Sequence, residues 1–559
     1  MHSEGRRTQV LVRGRRVLLG AAAVVLGATG LSACSSSSAS SPTTTHAAST
    51  TSCTAPSSWK STTATPVSGS SSDSTLASFD GTKIRIHWFP NPTAAGKDLP
   101  TVLMGPGWGS GGDTNTASAG IQGALSISQL WSGGFNVLTW DPRGFGKSGG
   151  AAQVDSPSYE AKDVSQIINW VAQQKGVATD HPGDPRLGMV GESYGGGIQF
   201  VTAAQDCRVD AIAPTIAWHS LTTSLDKSDT PKSGWGNVLS QVASSATLNP
   251  IITAADKQEN ATGTITAQEK AFFAARGPAQ VLSGVKVPTL ILQGTVDDLF
   301  TLDEGIANYE ALKAQGTTVS MAWFCGGHGV CLTNPGTALD VGTLSLAWMQ
   351  HYVAKDSSVK VLDGVAFVDQ NGTSYSSSTW PLTQGPPVTG AGSGTLALKE
   401  GGGSGPPTAT PNAQAANVVD AVALGVTPAP ATNAVNVTIP FASDAVVAGA
   451  PSLTISYSGT VPAGQRPERV FAQLVDPTTG IVVGNQITPI PVTLDGATHT
   501  LTIPLEAVAF TGKPGTTLQL QLVATTVAYV QPRLGGSVTF SHIGVSLPTA
   551  TGLTVLQQG

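Results

Sequence analysis

The sequence predicts an α/β domain built on a parallel sheet covered on both faces, followed by an all-β domain. Three observations predict it. Between Pro100 and Phe324, short continuous apolar runs alternate with stretches of helical length and spacing. Several of those runs end abruptly in glycine-rich or acidic loops, as at Gly105 to Gly109 and Asp141 to Gly144. Beyond about Asn417 the chain turns to Val, Thr, Ile and Gly, with turn signals at short intervals and no convincing helix.

In order, the α/β region opens with a hairpin around Asp80-Gly81, flanked by alternating segments from Leu76 to Trp88. Buried strands are expected at Pro100–Met104, Phe135–Trp140, Leu187–Val190, Val209–Ala217, Val287–Gln293 and Thr318–Phe324. Helices are expected over Tyr159–Lys175, Gly197–Ala204 and Leu344–Ala354. The gap from Trp218 to Gly284 exceeds one crossover helix, which predicts a helical lid over about 218–285. Val388 to Ala413 reads as a Gly/Pro-rich linker, with Val361–Val368 before it as the first strand of the later domain. A β-sandwich follows over 409–559, with strands at Leu453–Tyr457, Val470–Val475, His499–Ile503, Leu518–Thr526 and Gly536–Ile543.

Length and composition agree with this division. A chain of 559 residues exceeds one ordinary core. Only 11% of residues are charged, while Gly (65) and Pro (36) are plentiful, which excludes coiled coil and collagen. The N-terminus reads as a targeting segment, residues 1–33. Arg6, Arg7, Arg13, Arg15 and Arg16 stand there against Glu4, a net +4, so the remainder lies near −10 against the total of −6. No basic surface remains to track phosphates, and nucleic-acid binding is not expected.

Arg15-Arg16 is followed by an apolar run to Leu26, too short for a good membrane span, and then by Leu31-Ser32-Ala33-Cys34. These four residues resemble a bacterial lipobox. The resemblance implies cleavage before Cys34, acylation of its thiol, and display on the outer face of the cell membrane. The alternative is an ordinary secretory peptide with an incidental cysteine. Arg15 to Leu19 also resembles a twin-arginine export signal. Residues 34–72 are mostly Ser, Thr and Ala and read as a flexible tether. Of the remaining cysteines, Cys325 and Cys331 bracket one Gly-rich loop and are close enough to pair, which leaves Cys53 with Cys207; the alternative is that some stay as free thiols.

The pattern Gly-x-Ser-x-Gly occurs twice, at Gly146–Gly150 and Gly191–Gly195. A serine nucleophile must end a buried strand and open a helix, so that its oxygen projects from a tight turn. Only Ser193 has that context; Ser148 is expected in a structured surface loop. A serine hydroxyl needs a base, and the base needs an orienting acid. His328 lies just past the last strand, in Phe324-Cys325-Gly326-Gly327-His328-Gly329. Asp297 stands three residues after Gly294, the glycine ending the preceding strand; Asp298 is the lesser candidate, expected in a turn or cap. Asp303 and Glu304 are expected to cap the next helix. The backbone N–H groups of Tyr194 and Trp108 are the candidate oxyanion donors. Asp141 and Arg143 read as structural. No metal or organic cofactor is expected. This set belongs to an α/β-hydrolase, here spanning 73–358.

Phe79 to Ile84, Asp141 to Ser148 and Gly191 to Gly196 resemble the X-prolyl dipeptidyl aminopeptidase and cocaine esterase family, as does the order of an α/β-hydrolase before a jelly-roll-like sandwich. The resemblance implies cleavage of amides after proline, or hydrolysis of small esters, through an acyl-enzyme. Family members often use a tyrosine side chain at the oxyanion hole; here the loop reads Gly105-Pro106-Gly107-Trp108-Gly109, which favours a purely backbone hole. The expected partner is thus a small peptide or ester, with membrane contact only through the lipid. The rival expectation is a surface binding lipoprotein whose hydrolase half is retired.

Overall fold

A computed structural model describes residues 62–117, 125–407 and 418–558.

The centre is a twelve-stranded mixed sheet. Its first eleven strands are β1 (Ala64–Pro66), β2 (Asp73–Ala77), β3 (Lys83–Phe89), β4 (Thr101–Gly105), β5 (Asn136–Trp140), β6 (Leu187–Glu192), β7 (Val209–Thr215), β8 (Thr289–Gly294), β9 (Val319–Phe324), β10 (Val365–Val368) and β11 (Ser374–Ser377). Strands β5, β4, β6, β7, β8, β9 and β10 lie side by side in that order and run parallel. Their sequences are predominantly apolar because both faces are covered. Leu103, Leu138, Met189 and Ile291 face one core with α2 (Glu160–Val171), α3 (Tyr194–Ala203) and α8 (Leu302–Ala314). Val102, Val137, Val190 and Leu292 face the other, with α1 (Ile127–Ser132) and α9 (Val341–Tyr352).

Four short helices fill the gap between β7 and β8: α4 (Leu221–Ser224), α5 (Ser233–Val242), α6 (Pro250–Thr262) and α7 (Ala267–Ala274). They form a separate apolar cluster with Phe145, Tyr194 and Phe300 at the C-terminal edge of the sheet. The length of the gap had called for such an insert.

The later region is β-rich. Strands β12 (Val388–Ala397), β14 (Ser452–Thr460), β17 (His499–Pro504) and β19 (Ser537–Leu547) form one four-stranded sheet. A second holds β13 (Ala434–Pro440), β15 (Arg469–Asp476), β16 (Ile481–Pro491) and β18 (Thr517–Val523). Leu453, Ile455 and Phe540 of the first share one core with Val437, Val470 and Leu520 of the second. The outer faces of β12 and β17 alternate towards solvent.

Five expectations are corrected. Val365–Val368 is a strand, but it extends the central sheet beside β9 and does not begin the later one. The central sheet also takes β11 and the last strand, β20 (Thr554–Gln557), so it does not end at residue 358. The supposed linker contains β12, ten residues paired along β19. Its Gly390, Gly392 and Gly394 lie where a Cβ would come within 2.7–2.8 Å of Thr438, Val437 and Val435. Bare backbone there lets the two sheets approach, so a composition typical of a linker is used for packing. Ala64–Pro66, inside the supposed tether, pairs with β2. Residues Val418–Leu424 form a helix, α10, where none was expected.

Candidate active site

Ser193 directly follows β6 and stands directly before α3, with φ 55° and ψ −114°. A non-glycine residue held at positive φ is strained, and only a tight surrounding structure maintains it. The surrounding glycines allow it. A Cβ on Gly195 would lie 2.2 Å from the Gly105 carbonyl, and one on Gly191 would lie 2.7 Å from the same atom. The turn is pinned by the Ser193 N–H donating to the Thr215 carbonyl at 2.9 Å. As the first residue of α3, Tyr194 has no acceptor for its N–H within the helix.

The loops after β8 and β9 meet at this turn. His328 Nδ1–H donates to the Asp297 carboxylate, 2.8 Å to Oδ2 and 3.0 Å to Oδ1. That bond leaves Nε2 as the acceptor, and Ser193 Oγ donates to it at 2.9 Å. Asp297 is fully buried and also accepts the N–H groups of Leu299 (3.1 Å) and Phe300 (2.8 Å), which fix its plane. Gly327, at φ +123°, brings the two loops together: a Cβ there would lie 2.5 Å from that of Asp297. The imidazole edge is flanked by Phe300 and Trp235, at 5.1 and 5.7 Å between ring centres.

Ser193 opens on a pocket walled by Trp108, Trp218, Leu225, Leu239 and Phe300, with Asp226, Asp256 and Glu259 also lining it. Helices α4 to α7 supply much of that wall. Trp108 packs edge-on against Tyr194 and Phe145, and its indole N–H donates to the Leu239 carbonyl at 3.1 Å. Burial pushes the Glu259 carboxyl up to about 8, helped by Asp256. Asp226 pairs with Lys270 through Oδ2 at 3.2 Å. Glu259 Oε1 and Asp226 Oδ1 have no partner among the described residues. Lys232, on the same wall, is engaged by the Leu299 carbonyl at 2.8 Å.

The structure thus brings Ser193, His328 and Asp297 together, with Tyr194 and Trp108 beside them. Asp298 lies apart from His328 and caps no helix. It is buried and accepts the Trp235 indole N–H at 3.0 Å; burial and the neighbouring Asp297 push it up to about 8. Asp303 and Glu304 stand in the first turn of α8 but do not cap it: the N-cap is Thr301, and Glu304 instead accepts the His219 and Ser220 N–H groups. Asp141 holds the Gly112 and Lys147 N–H groups, and Arg143 is bidentate to Asp163 at 2.7 Å. Cys325 and Cys331 are disulfide-bonded, and Cys207 is disulfide-bonded as well. Cys34 and Cys53 lie outside the described residues.

Sequence reasoning missed the residues that flank the site from a distance. Trp235 and Glu259 come from the helical insert, where nothing local marks them. Asn485 and Gln486 come from β16: Gln486 Nε2 donates to the Asp297 carbonyl, and Asn485 Nδ2 to that of Val330.

Comparison with known proteins is consistent with this geometry. A Staphylococcus aureus hydrolase of the CocE/NonD family is 14% identical, with a TM-score of 0.59 over 86% of this chain and 93% of its own. An aminopeptidase from a marine-sediment Thaumarchaeota archaeon is 13% identical, with a TM-score of 0.58 over 90% of this chain and 97% of its own. At such identity the likeness is one of fold, and it extends through the β-rich region. An uncharacterized 31.7 kDa Escherichia coli protein, from the traX-finO intergenic region, is 38% identical over 85 residues. That match spans 15% of this chain and 28% of the relative. Residues 80–329 match the family model described as X-Pro dipeptidyl-peptidase (S15 family). This match and the shared fold support a hydrolase of that family.

Proposed function

We propose that the protein is a serine hydrolase that works through an acyl-enzyme, with Xaa-Pro dipeptides as its preferred acyl group. The hydrogen-bonded line from Ser193 through His328 to Asp297 carries the reading. His328 Nε2 takes the Ser193 proton as Oγ attacks the substrate carbonyl carbon. The same proton then passes to the leaving amine or alkoxide, and the acyl group stays on Oγ as an ester. Water attacks that ester with His328 again as base. Asp297 holds the imidazolium in place. The backbone N–H groups of Tyr194 and Trp108 receive the oxyanion. The Trp108 indole is committed to Leu239, which favours the backbone over a side-chain donor.

The pocket favours the dipeptide reading. Its apolar wall suits a proline ring, while the carboxyl groups of Asp226, Asp256 and Glu259 that line it suit a free α-ammonium. Turnover of Xaa-Pro-nitroanilides should exceed that of short-chain nitrophenyl esters and of N-acylated Xaa-Pro-nitroanilides. Equal or better turnover of the esters overturns this preference in favour of a carboxylesterase.

Export and anchoring belong to the same proposal and rest on residues 15–34 alone. Labelled palmitate should enter the wild type and not Cys34→Ala. Equal labelling of both, or of neither, contradicts a lipid on Cys34.

A further inference from the structure

The β-rich region reaches into the candidate site through strand β16. Strand β16 pairs with β15 on both sides of a break: Gln473 faces Ile487 and Val475 faces Val482. Residues 483–486 therefore stand opposite Leu474 alone. Extra residues on one strand must bulge out of the sheet, and the bulge redirects their side chains. Gly484 (φ +65°) and Asn485 (φ +55°) both take left-handed backbone, which glycine and asparagine tolerate best.

The bulge is directed into the loops that hold Asp297 and His328. Gln486, 5% exposed, donates from Nε2 to the main-chain carbonyl of Asp297 at 2.9 Å and to that of Gly484 at 2.8 Å. Asn485, 1% exposed, donates from Nδ2 to the Val330 carbonyl at 3.0 Å, two residues beyond His328. Gly484 sits so close that a Cβ would come within 2.9 Å of the Thr295 carbonyl. Nearby, Glu506 accepts the Thr301 hydroxyl at 2.8 Å and pairs with Lys227 at 2.7 Å. That contact holds the β-rich region against the start of α8 and the helical insert.

We propose that the 483–486 bulge is a positioning element of the active site, in which Gln486 and Asn485 set the Asp297 and His328 loops from outside the catalytic region. The β-rich region is then part of the catalytic apparatus as well as a neighbour of it. This rests on the serine-hydrolase reading. Two loops carry the acid and the base, and one bulge bonds to both, so their separation depends on it. Displacements near 1 Å in such a pair cost on the order of a hundredfold in rate.

The test uses the full-length protein with Gln486→Ala and Asn485→Gly. The second keeps a residue that accepts positive φ and removes the side chain with its amide donor. Gln486→Ala should lower kcat about 10- to 100-fold with KM nearly unchanged. The rate of Ser193 labelling by a fluorophosphonate should fall by the same factor. Asn485→Gly should show the same pattern at about a few-fold. A merely structural role would lower the unfolding temperature with kcat and labelling rate intact in the folded fraction. That result, or a raised KM at wild-type kcat, overturns the proposal. If Gln486→Ala does not fold, Asn485→Gly decides alone by the same split. Wild-type turnover in Ser193→Ala would instead show that the serine-hydrolase reading had failed.

Discussion

Two turns of this protein carry the same five-residue pattern and are built for opposite ends. At Gly191–Gly195 the serine closes a buried strand, sits at positive φ, and meets an imidazole at 2.9 Å. At Gly146–Gly150 the serine hydroxyl donates to the Asp141 carbonyl at 2.6 Å and accepts the Arg85 N–H at 2.9 Å. That second hydroxyl is a bracket between a loop and strand β3. The difference lies in what the fold sets opposite the oxygen. A base that can take the proton makes a nucleophile; a carbonyl and an amide make a staple.

The largest expected contrast is between the two alanine variants. Ser193→Ala should lose turnover by about 10⁶-fold and keep its fold. Ser148→Ala should keep turnover and lose about 1–3 kcal/mol of stability, because the Arg85 N–H is left unsatisfied. Denaturant unfolding and initial rates measure both.

The acids make a second, parallel contrast. Asp297→Asn should cost on the order of 10⁴ in kcat, since the amide favours the wrong imidazole tautomer. Asp298→Asn should stay within about tenfold, because it leaves the His328 pairing intact. The stability of the wild type should also respond to pH through Asp298. The folded carboxyl of Asp298 lies up to about 8, above its unfolded value, so folding is disfavoured increasingly as pH rises through that interval. Removing the ionisation should therefore raise the melting temperature of Asp298→Asn relative to wild type at pH 8 more than at pH 5. A constant difference across pH contradicts it.

Glycines give the third. Gly195→Ala places a Cβ 2.2 Å from the Gly105 carbonyl and should abolish activity, whereas Gly149→Ala meets nothing nearer than 3.7 Å and should be silent. The smallest effect is expected in the pocket that Ser193, and not Ser148, lines. Glu259→Gln should raise KM several-fold for substrates with a free amine and leave N-acylated ones unchanged. Equal effects on both would remove Glu259 from amine recognition.

Much of the catalytic geometry was legible because it is written locally. Leu187–Val190 before Ser193, Gly294 before Asp297 and the glycines around His328 each state their role within a few residues. The central strands were legible because burial on both faces demands unbroken apolar runs. Strand β12 was not, since its burial is achieved by Gly390, Gly392 and Gly394 against valines that lie far along the chain. Val365–Val368 was recognised as a strand but given to the wrong sheet, because its own residues do not name β9 as partner. Gln486 and Asn485 left no trace for the same reason. Their position comes from a break in the pairing of β15 with β16, and no local spacing encodes that.

The central claim is that Ser193, and not Ser148, is the activated serine. Treating the intact protein with a fluorophosphonate and mapping the labelled peptide tests it most directly. One adduct is expected, on the peptide containing Ser193, present in Ser148→Ala and absent from Ser193→Ala. Labelling of Ser193→Ala at the wild-type level, or an adduct on Ser148, would contradict it.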